Sequence, residues 1–365
     1  MSIRPVKMSR EARPTTEGAG VHLHRIFGFG DTKPFDPFLM MDDFRNDDPQ
    51  LYKNGFPWHP HRGIETITYV LKGTVDHGDS LGNVGTLGGG DIQWMTAGSG
   101  IIHQEMPKGD KDGAMHGFQL WANLPSSQKM TTPRYQDIKS QEISEMLDDD
   151  GSKIRIIAGN YRGYKGPVDG IAADPQYLDI TLPPRCFKRF PFDTRRQGFA
   201  YIFEGSARFK DASNPFGVKV EKEFQGEELE IRDLSGNRTL VVFGAGDEVA
   251  VTSGDEGVRF LLISGAPLRE PVAWHGPIVM NTQAELQTIA VARPYVVVED
   301  YYGNLFLCGY ENGMELTGGT VVTGAAAGDL SGFTLTFEGM EETAPYFLAA
   351  AQAVTASALQ IDPTA

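Results

Sequence analysis

The chain has 365 residues and a formal net charge of −15, so we expect two or three domains and no unaided binding to nucleic acid, whose phosphates attract Lys and Arg. The 43 glycines and 22 prolines break the hydrophobic segments into short runs, which is typical of many short strands joined by tight turns and predicts an all-β protein. The two cysteines, Cys186 and Cys308, lack CxxC spacing, which argues against a disulfide framework and a thiolate metal site.

The first residues, Met1 to Lys7, are polar and do not contain the apolar core of a secretory signal. No later segment offers the run of about eighteen apolar residues that a membrane-spanning helix needs. We therefore expect no membrane association and a cytoplasmic location, with the nucleus as the alternative.

Histidines separated by one residue occur twice along the chain. His22 and His24 form the first pair, but no second pair of metal-ligand side chains lies nearby. Alternate residues of a strand share a face, so the spacing alone is common among surface strands. We interpret this pair as surface residues.

The second pair, His59 and His61, is followed by His103 and Glu105, which have the same spacing. On two neighbouring strands, each pair would send both side chains to one face. Three imidazoles and one carboxylate suit a first-row transition metal with open coordination positions. The sequence therefore predicts a metal site here.

An internal repeat divides the molecule. The segment Tyr69–Gly73 matches Tyr201–Gly205 at an offset of 132 residues, about the size of one β-barrel domain. At this offset the second histidine pair falls on Pro191 and Asp193. We expect two related barrels, of which the first alone keeps a metal site.

These features predict a first domain over residues 1–135 and a second over 136–286. Residues 141–147, at the start of the second, have spacing compatible with a short helix. Residues 287–365 change in character, with nine acidic and one basic residue after position 289 and alternating strand-like segments. We expect an appended β-rich domain whose Ala-rich segment 347–359 is a helix or is disordered.

The sequence around the predicted ligands resembles the pirin family over about residues 6–286. The matching segments run from Asp36 to Phe44, Phe56 to Tyr69, Asp76 to Asn83, Gly90 to Gly98, Gly100 to Pro107, Phe118 to Pro125 and His275 to Thr282. The tail after residue 286 is atypical of this family.

The resemblance implies two cupin (jelly-roll-like) β-barrels in tandem, followed here by a small C-terminal β-rich extension. It also implies iron in the first barrel, held by His59, His61, His103 and Glu105. Glu65 is the alternative carboxylate, because it occupies the glutamate position of the general cupin pattern; the pirin-like pattern favours Glu105.

Two functions follow from this resemblance. The first is a metal-dependent dioxygenase that consumes O2, cleaves a flavonol such as quercetin and releases CO, with Glu105 as general base. Phe56, Trp58 and Met106 are the expected walls for the flat aromatic substrate. Fe(II) is the expected cofactor, with Mn, Co, Ni, Cu and Zn as alternatives, since imidazole and carboxylate serve several first-row ions.

The second function is an iron-containing, redox-sensitive regulator that binds a transcription factor or a metabolic enzyme. The negative charge permits a protein partner and disfavours direct contact with nucleic acid.

Overall fold

The computed structural model describes residues 2–168, 170, 172, 174–209, 219–221 and 235–291, and beyond them the strands 296–299, 305–308, 315–322, 332–338 and 346–348. Almost all regular structure in these residues is β-strand, so the prediction of an all-β protein is confirmed. Within the described residues, no helix has the length and apolar character required to span a membrane.

The strands of the first part, in chain order, are β1 (Val6–Glu11), β2 (Arg13–Glu17), β3 (Val21–Phe27), β4 (Phe38–Asp43), β5 (Phe56–His61), β6 (Ile64–Lys72), β7 (Thr74–Asp79), β8 (Val84–Leu87), β9 (Ile92–Thr96), β10 (Ile101–Lys108), β11 (His116–Asn123) and β12 (Arg134–Ile138). Two sheets face each other here. One has the order β5-β10-β7-β8, and the other has the order β12-β9-β6-β11-β4-β3-β2. Together they form the first barrel.

The strands of the second part are β13 (Ser144–Leu147), β14 (Lys153–Ala158), β15 (Asn160–Tyr161), β16 (Tyr164–Lys165), β17 (Gln176–Leu182), β18 (Phe187–Pro191), β19 (Gln197–Phe209), β20 (Lys219–Glu221), β21 (Thr239–Phe243), β22 (Glu248–Gly265), β23 (Ala273–His275) and β24 (Ile278–Met280). The main sheet has the order β13-β14-β17-β22-β19-β21-β1-β20, and β18 pairs with β22. The amino-terminal strand β1 thus completes the sheet of the second barrel.

The remaining described elements are the helix α1 (Gln283–Val291) and the strands β25 (Val296–Glu299), β26 (Leu305–Cys308), β27 (Glu315–Val322), β28 (Gly332–Glu338) and β29 (Tyr346–Leu348). Short 3₁₀ turns occur at Pro49–Leu51, Ser126–Gln128 and Ser140–Glu142. The strands after residue 295 agree with the predicted β-rich extension. Most of the Ala-rich segment 347–359 lies outside the described residues.

The predicted helix over residues 141–147 is wrong. This segment contains the end of a 3₁₀ turn and then β13, which pairs antiparallel with β14. Ile143 and Met146 are both buried, but they enter different apolar clusters on the two sides of the sheet. Because the edge of the sheet offers backbone partners, strand pairing overrides the local helical spacing.

A continuous apolar core joins the barrels. Ile67 and Phe118 of the first barrel share one buried cluster with Tyr177, Phe199 and Leu261 of the second. The barrels therefore pack through the faces of their large sheets and bury apolar side chains from both.

The internal repeat has a physical counterpart in this interface. Tyr69 donates a hydrogen bond of 2.7 Å to Asp179 of the second barrel, and Tyr201 donates one of 2.9 Å to Asp43 of the first. The two repeat tyrosines thus make reciprocal contacts, each from its own barrel to a buried carboxylate of the other.

Candidate metal centre

Two paired strands bring the three predicted histidine ligands together. β5 carries His59 and His61, and its antiparallel pairing with β10 places His103 opposite His59. The Nε2 atom of His59 lies 3.0 Å from Nε2 of His61 and 3.0 Å from Nε2 of His103. In the part of the chain that the structure describes, this is the one group of three or more possible ligand residues whose ligand atoms all lie within 4.8 Å of one another.

Hydrogen bonds assign the protons of two imidazoles. His59 Nδ1 lies 2.8 Å from the Pro57 carbonyl oxygen, and His61 Nδ1 lies 3.4 Å from that of Pro277. A carbonyl oxygen only accepts, so each Nδ1 carries the proton and each Nε2 presents a lone pair. Burial lowers the pKa of His59 and takes that of His61 well below its ordinary value, so both rings are neutral at pH 7.

This arrangement fits a metal cation. Two Nε2 lone pairs face each other at 3.0 Å with no proton between them, which is repulsive unless an electrophile lies there. His103 is buried with its Nδ1 unpartnered, and burial holds its pKa well below the usual range. Neutral imidazole nitrogen is a good ligand for iron, nickel, copper and zinc.

Glu105 lies on β10, two residues after His103, and is buried, but its carboxylate is not part of the group whose ligand atoms lie within 4.8 Å of one another. Its Oε1 accepts a hydrogen bond of 2.8 Å from Thr68 Oγ1, which lies 2.7 Å from Gln119 Oε1 as well. Thr68 has one hydroxyl proton and can donate to only one of these two oxygens. The other contact must be donated to Thr68, either by a protonated Glu105 or by the amide nitrogen of Gln119 with its amide group rotated. Burial raises the pKa of Glu105 to about 7, although the Thr68 hydrogen bond opposes this shift.

Glu65, the alternative carboxylate, faces away from this interior. It lies opposite Thr96 in the pairing of β6 with β9 and accepts a hydrogen bond of 2.8 Å from Thr96 Oγ1. Alternation along β6 puts Glu65 and Thr68 on opposite faces of the strand, and Thr68 is the residue that contacts Glu105. Burial raises the pKa of Glu65 to about 7 as well.

Two of the three expected walls, Trp58 and Met106, lie on the other face of the sheet. Trp58 is 56 % exposed, and its ring lies over Gly78 on the outer face of the sheet, opposite to His59. Met106 alternates with Glu105 and lies near Gly55. Phe56 lies opposite Glu105 in the pairing of β5 with β10, and its side chain packs against an apolar cluster that includes Val70 and Val75. The placements of Trp58 and Met106 follow from the strand period of two, whereas that of Phe56 follows from the register shift between His103 and Glu105.

Trp121 is the aromatic neighbour that the sequence did not identify. Its ring centroid lies 4.9 Å from that of His61, and Trp274 lies 5.9 Å beyond it. Trp121 reaches the site from β11 in the opposite sheet, so no local spacing relates it to His61. The sequence indicated only that Trp121 belongs to a strand whose successive side chains point to opposite faces.

The other histidines lie outside the group of three imidazoles, although the ring centroid of His77 lies only 5.4 Å from that of His103. His77 is buried inside the first barrel, stacked on Tyr135 at 4.8 Å, with its Nε2 at 3.3 Å from Asp79. His22 is exposed, and His24 lies 2.9 Å from an Arg238 nitrogen. Neither member of this first pair belongs to the group of three imidazoles.

The corresponding region of the second barrel is apolar. The offset of 132 predicts Pro191 and Asp193 as counterparts of the ligands, but Pro191 is exposed at the end of β18. The inward side chains are those of Phe190 and Phe192, which join the apolar cluster of this barrel. A shift of one residue along a strand moves its side chains to the other face. The inward positions of β18 are therefore displaced by one residue from those that the offset of 132 predicts.

Comparison with known proteins identifies both barrels. Residues 20–122 match the Pirin family model, and residues 177–292 match the Pirin C-terminal cupin domain. A pirin-like protein of Caulobacter vibrioides is 41 % identical over 287 residues, which are 78 % of this chain and 96 % of that protein. Human pirin is 38 % identical over 287 residues, covering 78 % of this chain and 90 % of the relative.

A solved structure has the same architecture. The crystal structure of quercetin 2,3-dioxygenase from Acinetobacter baumannii is 29 % identical, with a TM-score of 0.68 over 79 % of this chain and 96 % of that one. The expected tandem of two cupin barrels is thereby confirmed. The chain belongs to the pirin family.

Proposed function

We propose that this protein is a metal-dependent dioxygenase that opens the heterocycle of a flavonol such as quercetin, with Fe(II) as its resident ion. The observation that carries the proposal is the convergence of three neutral imidazoles, those of His59, His61 and His103. The buried carboxyl of Glu105 lies two residues after His103 on the same strand. This donor set leaves positions free for substrate and O2.

The four residues would hold the ion, with Glu105 as the fourth ligand. A bound divalent ion would supply Lewis acidity that lowers the pKa of a coordinated substrate hydroxyl. Manganese, cobalt, nickel, copper and zinc suit the same donors, so the choice among them depends on supply as well as on the site.

Glu105 is well suited to accept the hydroxyl proton of the substrate. A general base works best when its pKa lies near the working pH, and burial raises the pKa of Glu105 to about 7 in the metal-free protein. A cation bound to the carboxylate would lower this pKa, so the ligand and base roles of Glu105 would alternate. The Thr68 hydroxyl, at 2.8 Å, fixes the orientation of this carboxyl. Thr68 is thus a positioning residue that acts through Glu105.

The surroundings favour a flat, apolar substrate. Trp121 stands beside His61 and can cover one side of an aromatic ring. In the overall reaction both atoms of O2 enter the ring-opened ester and one carbon leaves as CO. The likeness to the Acinetobacter baumannii enzyme supports this substrate class.

The test is oxygen consumption and CO release by the iron-loaded protein supplied with quercetin. We expect turnover by the native chain and its loss in His59→Ala and Glu105→Gln. Glu65→Gln is the matched control, because it removes a buried carboxylate of similar raised pKa from the other face of the wall. Absence of turnover with iron, manganese, cobalt, nickel and copper would refute the proposal.

A redox-sensitive regulator is the second candidate, and one observation favours it. The sheet that carries the imidazoles on its inner face exposes Trp58 and Val84 on its outer face, at 56 % and 86 % of their surface. Exposed aromatic side chains are common anchors of protein interfaces. Binding of a transcription factor or metabolic enzyme that differs between ferrous and ferric protein, and is lost in Trp58→Ala, would support this function.

A further inference from the structure

A hairpin from the end of the second cupin returns to the first barrel. Its strands β23 and β24 pair with each other over Ala273–Met280. Ile278 forms a parallel bridge with Arg62, and Val279 donates a backbone hydrogen bond of 3.0 Å to the Arg62 carbonyl. The hairpin is therefore fastened to the residue that follows the metal-ligand candidate His61.

The turn of this hairpin contacts His61 itself. The Pro277 carbonyl oxygen lies 3.4 Å from His61 Nδ1, on the side of the ring away from the other imidazoles. A carbonyl in this position fixes the tautomer that leaves Nε2 free and also restricts rotation of the ring. The second cupin segment thus supplies an acceptor that the first barrel lacks at this point.

Lys129 holds the hairpin in place. Its Nζ donates to the Gly63 carbonyl at 2.8 Å, to Asn123 Oδ1 at 2.5 Å and to the Val279 carbonyl at 3.0 Å. The side chain is 1 % exposed. Three acceptors match the three N–H groups of an ammonium, so Lys129 joins the turn after β5, the end of β11 and the hairpin.

Packing leaves the hairpin little freedom. A Cβ atom on Gly63 would lie 1.9 Å from the Val279 carbonyl oxygen, and Gly63 has a φ of +75°, so glycine is required at this position. The Val279 side chain is buried among residues that include Ile64 and Ile101. Trp274 adds an aromatic contact to Trp121, the neighbour of His61.

We infer that the hairpin Ala273–Met280 is an outer-sphere part of the metal centre, and that Lys129 is the positioning residue that keeps the Pro277 carbonyl against His61. This inference rests on the metal site of the proposed function. It requires the two cupins to act together: among the described residues, the second adds no ligand to the group of imidazoles, but it sets the orientation of one.

The experiment measures the affinity of the metal-free full chain for Co(II) by competition with a chelator, together with the absorption spectrum of the Co(II) form. The variants are Lys129→Met, Gly63→Ala and Trp274→Ala. The last removes a half-buried side chain whose Nε1 donates to the Gly276 carbonyl and shapes the turn. It is the mildest of the three and serves if the others do not fold.

The lysine and glycine variants each have a matched control. Lys188→Met removes another buried lysine, one that binds Asp148 and Asp150 far from the imidazoles. Gly20→Ala places a side chain at a φ of +97° where no atom lies within 4 Å of the new Cβ. These substitutions reproduce the loss of a buried ammonium and the backbone strain without touching the hairpin.

We expect the hairpin variants to bind Co(II) about 10- to 100-fold more weakly and with an altered spectrum, as is usual when an outer-sphere partner is lost. Lys188→Met and Gly20→Ala should bind it like the native chain. Native affinity and spectrum in Trp274→Ala, and in whichever of Lys129→Met and Gly63→Ala fold, would overturn the inference. If the native chain bound no Co(II), or bound it equally well as His59→Ala, the proposed function itself would fail.

Discussion

Glu105 and Glu65 lie on opposite faces of the wall of the first barrel. Glu105 accepts a hydrogen bond from Thr68 in the interior, and Glu65 accepts one from Thr96 on the face toward the second barrel. Both carboxyls are buried, and burial raises the pKa of each to about 7. Their chemical environments are alike, so their position relative to the imidazoles is what separates their roles.

This difference predicts opposite outcomes for two isosteric substitutions. Glu105→Gln should lower the affinity for a divalent ion by at least about tenfold, because a neutral amide is a poorer ligand than a carboxylate. Glu65→Gln should leave the affinity unchanged. Metal competition with a fluorescent chelator measures both. The same loss of affinity in the two variants would contradict the assignment of Glu105 as a ligand.

The two histidine pairs allow a second comparison. His59→Ala or His103→Ala should remove most of the bound metal, because each takes away one of three converging Nε2 atoms. The double substitution His22→Ala and His24→Ala should keep the native metal content, since His24 contacts Arg238 instead. Elemental analysis of protein purified under identical conditions distinguishes these outcomes. Metal loss in the His22 and His24 variant would show that spacing alone governs binding.

The ligand pairs could be predicted because strand alternation is local. His59 and His61 need only to lie on one strand to share a face, and His103 needs only a neighbouring strand. Trp121 and Lys129 could not be predicted in this way. They approach the site from elements that are distant in sequence, and the packing of two sheets decides their position.

The same distinction between local pattern and sheet packing explains which predictions for the second barrel were correct. The matching segments that contain Tyr69 and Tyr201 predicted the tandem architecture correctly. Each of these tyrosines donates a hydrogen bond across the interface to the other barrel. The residue-level register failed by one at Pro191, since the interior is set by sheet packing. Residues Ser144–Leu147 form an edge strand because β14 offers pairing partners that a local pattern does not reveal.

His116 predicts a pH dependence of stability. Burial lowers the pKa of His116 from 6.5 to about 4 in the folded protein, with Asp43 opposing the shift. Between these values the unfolded chain binds a proton that the folded chain does not, so the free energy of unfolding falls as the pH falls from about 6.5 toward 4. Relative to His116→Gln, the native chain should lose up to about 1.4 kcal/mol per pH unit.

Urea unfolding of both chains at pH 7, 6 and 5 measures this difference. The other buried imidazoles are present in both proteins, so their contributions cancel in the comparison. Parallel stability curves for the native chain and His116→Gln would contradict the prediction.

Tyr69 and Tyr177 provide the final test, which concerns the interface between the cupins. Both side chains are buried in the shared core. The Tyr69 hydroxyl donates to Asp179 at 2.7 Å and accepts from Arg155 at 2.8 Å, whereas the Tyr177 hydroxyl has no partner.

Tyr69→Phe should therefore lower the free energy of unfolding by about 1–3 kcal/mol, because two buried polar groups lose a hydrogen bond. Tyr177→Phe removes an unpaired hydroxyl and should leave stability unchanged or slightly higher. Urea unfolding measures the free energy of unfolding of both variants. Equal changes in the two would contradict a specific contribution of the Tyr69 hydroxyl.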